Sequence, residues 1–521
     1  MKQILLPVLL VSLGVAAERP ADYITQADIK ARMFFLASDE MAGRDAASSQ
    51  AAMTADYIAS EFMRMGLKPA GDQGTYFQNF DMAIARLDHE KTSLEAQIGT
   101  SSKKYQMGHD FTWTRQSVNP TAATAPVVFA GYGVHAPEYG YNDFAGVDVR
   151  GKIVMALVRE PQADDSTSRF KGKFDTVHAY TWFKIEQVRK AGAAGLILVN
   201  EASPHRKMRL ASAPTNGWRP TPDYALAGSF WDIPVFTVTR EVANEFLAPA
   251  GKTVTSAQHA IDSTGQPASF EIPGVRVTMT KAFTESRLAK TRNVAGLIEG
   301  SDPKLKDDII VVSGHYDHVG TVAGRIYRGA DDNASGTIGV IEIANAFVRG
   351  GVRPKRSVLF LCYDAEERGL LGAFYYVDHP ILPLEKTIAN LNMDMIGRDE
   401  QSANWPTPPD GNRNQVNVVG TLYNPELRQI IETANHPVEL KLDFKTDTVD
   451  PEGWFSRSDH YCFAIHGVPM VLFNTGEQLD YHTENDTWDR INYPKMEKII
   501  RLIYLTAEDL ATSEQRPKFT P

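Results

Sequence analysis

The sequence has little cysteine, no excess of positive charge and, after its first residues, no long apolar run. Lys and Arg together number 54 against 64 Asp and Glu, which gives a net charge of −10. This balance argues against a nucleic-acid partner, because phosphate binding needs a basic face. No later run is long and apolar enough to span a bilayer. The 43% hydrophobic and 23% charged content is ordinary for a globular chain with a sizeable core.

Cysteine occurs only at Cys362 and Cys462. Cys362 ends the apolar run SVLFLC and Cys462 lies in YCFAI, so both are expected to be buried, free thiols that pack like small hydrophobic side chains. A disulfide between them stays open, since export would permit it. Neither cysteine lies in a recognisable nucleophile motif, which argues against cysteine catalysis.

Residues 1–17, MKQILLPVLLVSLGVAA, combine one Lys with an apolar run that ends in small residues. This pattern is typical of a secretory signal peptide cut after Ala17. A membrane anchor is the alternative, but the run is shorter than the roughly 20 residues that a spanning helix needs. We therefore expect an exported protein, periplasmic or extracellular, without stable membrane insertion.

The most informative stretch is 309–398. Short apolar runs there, such as IIVVSG, SVLFLC and IANLNM, each end in imidazole or carboxylate side chains. Runs of this kind predict buried parallel strands, and in open α/β sheets ligands bind outside the carboxyl ends of the strands. The candidates that should gather at this edge are His315, Asp317, Asp331, Glu366, Glu367 and Asp394. Imidazole with carboxylates and no thiol suits zinc or a similar divalent metal.

The order of predicted elements divides the mature chain into three parts. Residues 18–123 begin with two helices, one capped by Thr25 and one closed by Gly66. A segment rich in Thr, Ala and Pro opens 124–274, which we interpret as an inserted, mostly β domain. From 275 to 521, alternating strands and helices predict an α/β fold, with a mostly parallel mixed sheet flanked by helices.

Taken singly, each candidate has a simpler interpretation. His315 and Asp317 could form a surface hydrogen bond, and Asp331 could cap a helix. The Glu366–Glu367 pair could be solvated helix surface, and Asp394 could form a buried salt bridge. His482, in the polar segment YHTENDTWD, could be a surface histidine.

The ordered set is far more specific than its parts. His, Asp, Glu-Glu, Asp and His, each at a strand end or loop, supply five metal ligands and one free base. Such a set suits two metal ions about 3.5–4 Å apart that share a carboxylate and a water.

The motifs HYDH, GADDNASG, AEERGLLG, NMDMIGR and YHTENDTWD resemble, in order, those of the di-zinc exopeptidase family of secreted aminopeptidases and glutamate carboxypeptidase II. The resemblance implies a zinc exopeptidase fold in which 124–274 is an inserted protease-associated domain. It also implies two zinc ions held by His315, Asp331, Glu367, Asp394 and His482, with Asp331 bridging. Glu366 would then be the general acid/base and Asp317 would orient His315.

Three functions remain open at this stage. The first is an aminopeptidase acting on peptide substrates, in which the second cation could hold a free α-amine. The second is a carboxypeptidase, whose basic pocket could draw on Arg325, Arg328, Arg398 or Arg457. The third is a non-catalytic binding protein on the same fold. The sequence leaves the role of the inserted domain open between covering the substrate cleft, mediating assembly and adding stability.

Overall fold

The structure is a computed structural model. It describes residues 19–113, 120–172, 175–199, 223–227, 233–401, 411–448, 450 and 452–520. The expected signal segment, residues 1–17, lies outside the described residues. None of the helices in the described part combines the length and apolarity needed to cross a membrane.

The larger of two main sheets has ten strands and is parallel in its centre and at one edge, where Gln415–Val419 pairs with Lys441–Asp443. Ser357–Tyr363, Ile309–His315, Thr387–Met393 and Met470–Asn474 lie side by side and parallel, while the flanking pairs are mostly antiparallel. The sequence therefore predicted a mixed sheet with parallel central strands, but fewer of its neighbouring strand pairs are parallel than expected. The strands, in order across this sheet, are Asp223–Leu226, Phe77–Leu87, Phe283–Ile298, Ser357–Tyr363, Ile309–His315, Thr387–Met393, Met470–Asn474, Gln415–Val419 and Lys441–Asp443, with Lys68–Pro69 beside Phe283–Ile298.

Helices cover both faces of the large sheet. Gly336–Arg349 is buried along almost its whole length, because it packs on the sheet beneath Tyr493–Thr512 and Ser49–Met65. Thr25 caps its helix as expected by accepting a hydrogen bond from the amide of Asp28. The α-helices of the described residues are Gln26–Leu36, Ser49–Met65, Thr181–Lys190, Arg240–Leu247, Val254–Asp262, Gly336–Arg349, Leu371–Asp378, Pro425–Ala434, His460–Ala464 and Tyr493–Thr512.

The second main sheet has eight strands and its own apolar core. Its strands, in order, are Ser101–Tyr105, Ser93–Ile98, Phe270–Lys281, Thr121–Phe129, Ile153–Leu157, Gly195–Val199, Val235–Val238 and Phe111–Trp113. The sheet thus recruits strands on both sides of the expected 124–274 segment. We propose 88 and 282 as the limits of this inserted domain.

The inserted domain leaves and re-enters the large sheet through two neighbouring strands. Phe77–Leu87 and Phe283–Ile298 pair antiparallel over their length, and Leu87 faces Phe283 at the point where the chain departs. Asp223–Leu226, from within the insertion, also pairs with Phe77–Leu87 and extends the large sheet. The inserted domain is therefore joined to the large sheet by continuous hydrogen-bonded strands.

Two small structural expectations are confirmed. Cys362 and Cys462 are both buried and free. Burial also raises the pKa of each thiol, so both stay in the unreactive protonated form.

Arg44 fixes the loops around the carboxyl edge of the large sheet. It lies in the polar segment SDEMAGRDAAS between the first two α-helices, yet its side chain is buried. The guanidinium donates hydrogen bonds of 2.6–2.8 Å to the carbonyl oxygens of Leu36, Tyr316, Arg328 and Gly329. One side chain thus holds the segment after Ile309–His315 against the turn that begins at Gly329.

We expect Arg44→Met to lower the free energy of unfolding by on the order of 3 kcal/mol, because four buried carbonyl oxygens lose a charged donor. Arg64→Met is the control, since Arg64 is largely exposed and pairs with Glu61 on the same helix. Denaturant unfolding of the two variants measures the difference. Equal midpoints for both would contradict the role given to Arg44.

Candidate metal centre

Three strand ends and one loop bring most of the candidate side chains together. His315 ends its strand, Glu366 and Glu367 follow Ser357–Tyr363, and Asp394 follows Thr387–Met393. The loop that starts at Gly329 and leads into Gly336–Arg349 is bonded to these strand ends. In it, Asn333 donates to the carbonyl of Met393, and Thr337 donates to the carbonyl of His315.

The first donor group surrounds the ring of His315. Its Nε2 lies 3.4 Å from Asp394 Oδ1, 3.5 Å from Asp332 Oδ1 and 3.8 Å from Glu366 Oε2. His315 and Asp394 are buried, so these atoms face one another out of bulk water.

The second donor group lies on the other oxygen of Asp332. His482 Nε2 is 2.9 Å from Asp332 Oδ2 and 3.2 Å from Glu367 Oε1. His318 Nδ1 lies 2.8 Å from Glu367 Oε1 and 3.7 Å from Asp332 Oδ2. Asp332 therefore belongs to both groups through its two carboxylate oxygens.

These distances fit donors around shared cations. Two ligand atoms bound tetrahedrally to one zinc at about 2.0–2.1 Å lie roughly 3.3 Å apart. Several inward-facing atoms have no hydrogen-bond partner within the described residues, namely His315 Nε2, His318 Nδ1, Glu367 Oε1 and Asp394 Oδ1. Buried polar atoms without partners are costly, and a divalent ion in each group would satisfy them.

The sequence indicated Asp331 as the shared ligand, but the donor groups of the structure contain Asp332 and not Asp331, and we propose Asp332 in its place. Asp331 Oδ1 accepts a hydrogen bond of 2.7 Å from the amide of Gly397. The amides of Asp331 and Asp332 both donate to the buried carboxylate of Asp486. Asp332 has extended backbone angles (φ −104°, ψ 99°), and neighbouring side chains of extended backbone point in opposite directions. Asp331 consequently braces the loop, whereas Asp332 faces both donor groups.

The other expected site residues are brought together. His315, Glu366, Glu367, Asp394 and His482 all belong to one of the two groups. Asp317 lies beside them: its backbone carbonyl oxygen is the hydrogen-bond partner of His315 Nδ1 at 3.2 Å, and its Oδ1 lies 3.5 Å from the same nitrogen. The carboxylate of Asp317 also accepts hydrogen bonds from the amides of Glu366, at 3.0 Å, and Glu367, at 3.3 Å. It therefore fixes both the imidazole and the Glu-Glu turn.

Sequence reasoning missed the roles of Asp332 and His318. GADDN offers two adjacent carboxylates, and no local pattern tells which one points toward the strand ends. His318 stands in the quoted HYDH motif, and its spacing of three from His315 in a non-helical segment gave no reason to place both rings at one site. Arg44, which positions this segment, was missed because its partners are backbone carbonyls far away in sequence.

The pKa values reflect crowded buried charges. Burial raises the pKa of Glu366 well above its usual range, with nearby Asp394 and Glu367 adding to the rise. Burial disfavours the charged form of His482, but its contacts with Asp332 and Glu367 outweigh this and raise its pKa to about 10. The carboxylates Glu366 and Asp394 likewise outweigh burial at His315 and raise its pKa. Metal binding at these imidazoles must displace their protons, so it competes with acid.

A cavity of ≈280 Å³ opens onto both donor groups. Asp332, Glu366, Glu367 and Asp394 form its acidic part. Its other walls are largely apolar or aromatic and come from Trp182, Gly369, Leu370, Met395, Trp454, Ser456, Arg457 and Tyr481. Trp182 belongs to the inserted domain and stacks on Phe374 with ring centroids 4.6 Å apart. The inserted domain therefore contributes directly to the wall of the cavity.

We expect Asp332→Asn to reduce bound divalent metal much more than Asp331→Asn does. The first change removes the charge that both donor groups share, whereas the second leaves both groups intact and can still accept from Gly397. Metal per chain, measured after gel filtration in metal-free buffer, tests this. Equal metal loss in the two variants would contradict the assignment of Asp332 as the shared ligand.

Comparison with known families divides the chain as the structure does. The model of peptidase family M28 matches residues 293–507, and the model of the PA domain matches residues 123–246. The first match contains every member of the two donor groups, and the second lies within the inserted domain.

Curated relatives include aminopeptidases and a glutamate carboxypeptidase. Aminopeptidase YwaD of Bacillus subtilis is 28% identical over 247 residues, covering 46% of this chain and 48% of that protein. Leupeptin-inactivating enzyme 1 of Streptomyces exfoliatus is 36% identical over 222 residues, covering 41% and 47%. Probable glutamate carboxypeptidase VP8 of Zea mays is 23% identical over 515 residues, covering 91% and 66%. The chain spans about half or less of the length of the first curated relatives that it matches.

Among solved structures, an aminopeptidase from Aneurinibacillus sp. strain AM-1 is 18% identical and aligns with a TM-score of 0.46, covering 96% of this chain and 97% of that one. A zinc aminopeptidase from Bacillus subtilis aligns with a TM-score of 0.45 at 20% identity, covering 95% and 98%. Residues 293–507 of this chain thus match peptidase family M28, and residues 123–246, which lie within the inserted β-rich domain described above, match the PA domain.

Proposed function

We propose that this protein is a zinc-dependent aminopeptidase that holds two zinc ions and uses Glu366 as its general base. The observation that carries the proposal is the position of Asp332, whose two oxygens each face a separate imidazole–carboxylate group. Two adjacent cation positions with a shared carboxylate suit the activation of one water between them. The names of relatives, among them aminopeptidases from Bacillus subtilis and Aspergillus oryzae, support the same activity.

Bound zinc ions would lower the pKa of a water molecule and polarise the scissile carbonyl group. The side chains of this chain do the rest. Glu366 lines the cavity, where its carboxylate can accept a proton from water and then pass it to the leaving amine. Asp317 holds the backbone of Glu366 so that the carboxylate stays at the cavity. His315 and Asp394, beside Glu366, complete the first donor group.

The charges around the cavity support removal of N-terminal rather than C-terminal residues. A carboxypeptidase needs a cation that is available for the terminal carboxylate of its substrate. The four arginines near the motifs are each paired with a carboxylate instead, as Arg325–Glu484, Arg328–Asp39, Arg398–Asp480 and Arg457–Glu477. Arg457, which lines the cavity, also donates to the hydroxyl of Tyr481 and stacks over Trp454. Among the described residues, the one arginine in the lining of this acidic cavity, Arg457, is already paired with Glu477, which favours a free α-amine over a carboxylate as the bound end of the substrate.

The cavity also limits what can enter. Its volume of ≈280 Å³ is at the lower end of the roughly 300–1,000 Å³ of small-molecule pockets, a size that accommodates one amino-acid residue at a chain end. The apolar walls from Trp182, Leu370, Met395 and Trp454 suit a large apolar side chain. This points to exopeptidase action on peptides with apolar N-terminal residues.

A glutamate-type carboxypeptidase is the second candidate, since the Zea mays relative spans most of the chain. A non-catalytic binding protein is disfavoured because both donor groups and Glu366 are present. Export of the enzyme, expected from residues 1–17, also belongs to this proposal.

We expect Glu366→Gln to lower kcat on leucyl-p-nitroanilide by about 10²–10⁴-fold, because the amide cannot take the proton from water. Zinc content should stay near that of the unmodified protein, which separates a base from a ligand. Glu385→Gln, at an exposed position, is the control. Full activity of the Glu366→Gln variant would exclude the proposed base.

Peptides blocked at one terminus test whether the enzyme removes N-terminal or C-terminal residues. We expect cleavage of peptides with a free N-terminus, including those with a C-terminal amide, and no cleavage when the N-terminus is acetylated. The reverse pattern, measured by mass spectrometry of the products, would identify a carboxypeptidase.

We expect Trp182→Ala to raise KM for leucyl-p-nitroanilide about tenfold with a smaller change in kcat, because part of the apolar wall of the cavity is lost. Trp488→Ala is the matched control, since Trp488 packs on Phe34 rather than lining the cavity. An unchanged KM in the Trp182→Ala variant would show that the inserted domain does not contact the substrate.

A further inference from the structure

We infer that His318 is a third imidazole ligand, so that the two metal positions are unequal: one holds His318 and His482, the other holds His315. This inference rests on the proposed metal centre and adds a donor to it. The resemblance of the motifs assigned zinc ligation to five residues and gave His318 no role.

The position of the His318 ring carries the inference. Its Nδ1 lies 2.8 Å from Glu367 Oε1 and 3.7 Å from Asp332 Oδ2, and its ring centroid lies 5.4 Å from that of His482. One donor atom from each of His318, Asp332, Glu367 and His482 lies within 4.8 Å of the others. Two imidazoles and two carboxylates around one point form a four-donor set of the kind that zinc takes.

The approach of Nδ1 to Glu367 does not have hydrogen-bond geometry. Neither ring nitrogen of His318 has a hydrogen-bond partner within the described residues, although the ring is fully buried. A ring placed there to orient Glu367 would direct an N–H at the carboxylate. His318 Nδ1 and Glu367 Oε1 are close, but no N–H bond points from one to the other. Two ligand atoms of the same metal ion have this arrangement.

Backbone contacts fix the position of the His318 ring. The amide of His318 donates to the carbonyl of Arg44, and the ring lies against the Cα of Gly329. A Cβ at Gly329 would come within 2.5 Å of Cγ and 2.6 Å of Cδ2 of His318, and Gly329 also has a φ of +59°. Gly329 therefore leaves the space that the ring occupies, and the carbonyl of Gly329 is itself bonded to Arg44.

The consequence is a difference in affinity. The position with His318 and His482 has two neutral nitrogen donors, whereas the position with His315 has one and otherwise carboxylates. We expect the first zinc equivalent to bind at the two-imidazole position and the second to bind more weakly.

Zinc-edge X-ray absorption on the full chain loaded with one zinc equivalent tests this directly. The expected result is two imidazoles per zinc in the unmodified protein and one in His318→Asn. A count of one imidazole in the unmodified protein would overturn the inference without relying on any variant.

Chelator competition gives a second, independent measurement. We expect the tighter zinc dissociation constant to rise at least tenfold in both His318→Ala and His318→Asn, and also in His482→Asn, while the exposed His436→Asn leaves it unchanged. Asn keeps an N–H near the place of Nδ1, so recovery of affinity in His318→Asn but not His318→Ala would show a hydrogen-bonding role and overturn ligation. Loss in His482→Asn alone would also refute the inference while leaving the metal centre in place. An unmodified protein that retains no zinc would instead refute the proposed function.

Discussion

Buried negative charge at the carboxyl ends of parallel strands is the constraint on which the rest of this structure depends. Asp317, Glu366, Glu367 and Asp394 lie within a few residues of three adjacent strand ends, and Asp332 faces them from the loop before Gly336–Arg349. Little of any of these side chains reaches water. Carboxylates packed this closely repel one another and lose hydration, which is unfavourable unless cations compensate. The imidazoles supply part of that compensation, and the orphaned inward atoms indicate where the remainder would bind.

Asp486 and Arg44, which lie outside the two donor groups, position the loops that carry these charged side chains. Asp486 accepts from the amides of Asp331 and Asp332, so one carboxylate shapes the turn that presents another. Arg44 binds that turn and the segment after His315 through carbonyl oxygens, which adds a positive charge close to the site without occupying a ligand position. Burial lowers the pKa of Arg44 to about 10, but surrounding carboxylates, Asp486 and Asp317 among them, favour its charged form. The loops at the sheet edge are thus ordered by charge as well as by packing.

The sequence was most informative where local pattern decides structure. Apolar runs ending in polar residues located the central strands, and Thr25 and Gly66 marked helix ends because capping is a short-range interaction. Sequence-based prediction failed where an interaction partner is distant in sequence or where the direction of a side chain decides its role. Asp331 and Asp332 are chemically alike, and only the backbone of the folded loop distinguishes them. Residues 275–281, the second half of Phe270–Lys281, were expected to belong to the α/β part, yet they pair with Ser93–Ile98 of the second sheet, a register that no local signal contains. Trp182 reaches the cavity from a separate domain, so its place depends on how the two sheets meet.

The paired strands that carry the inserted domain have a consequence for how the protein is made. The large sheet is assembled from two stretches of chain separated by the whole insertion, so Phe77–Leu87 emerges from the ribosome long before its partner Phe283–Ile298. Contacts between such distant segments form slowly. Until its partner strand is synthesised, the exposed edge of Phe77–Leu87 is prone to aggregate. The inserted domain has a core of its own, and its early folding would bring Leu87 and Phe283 side by side. The folded insertion would then hold the two strands close together, so that they pair faster during synthesis.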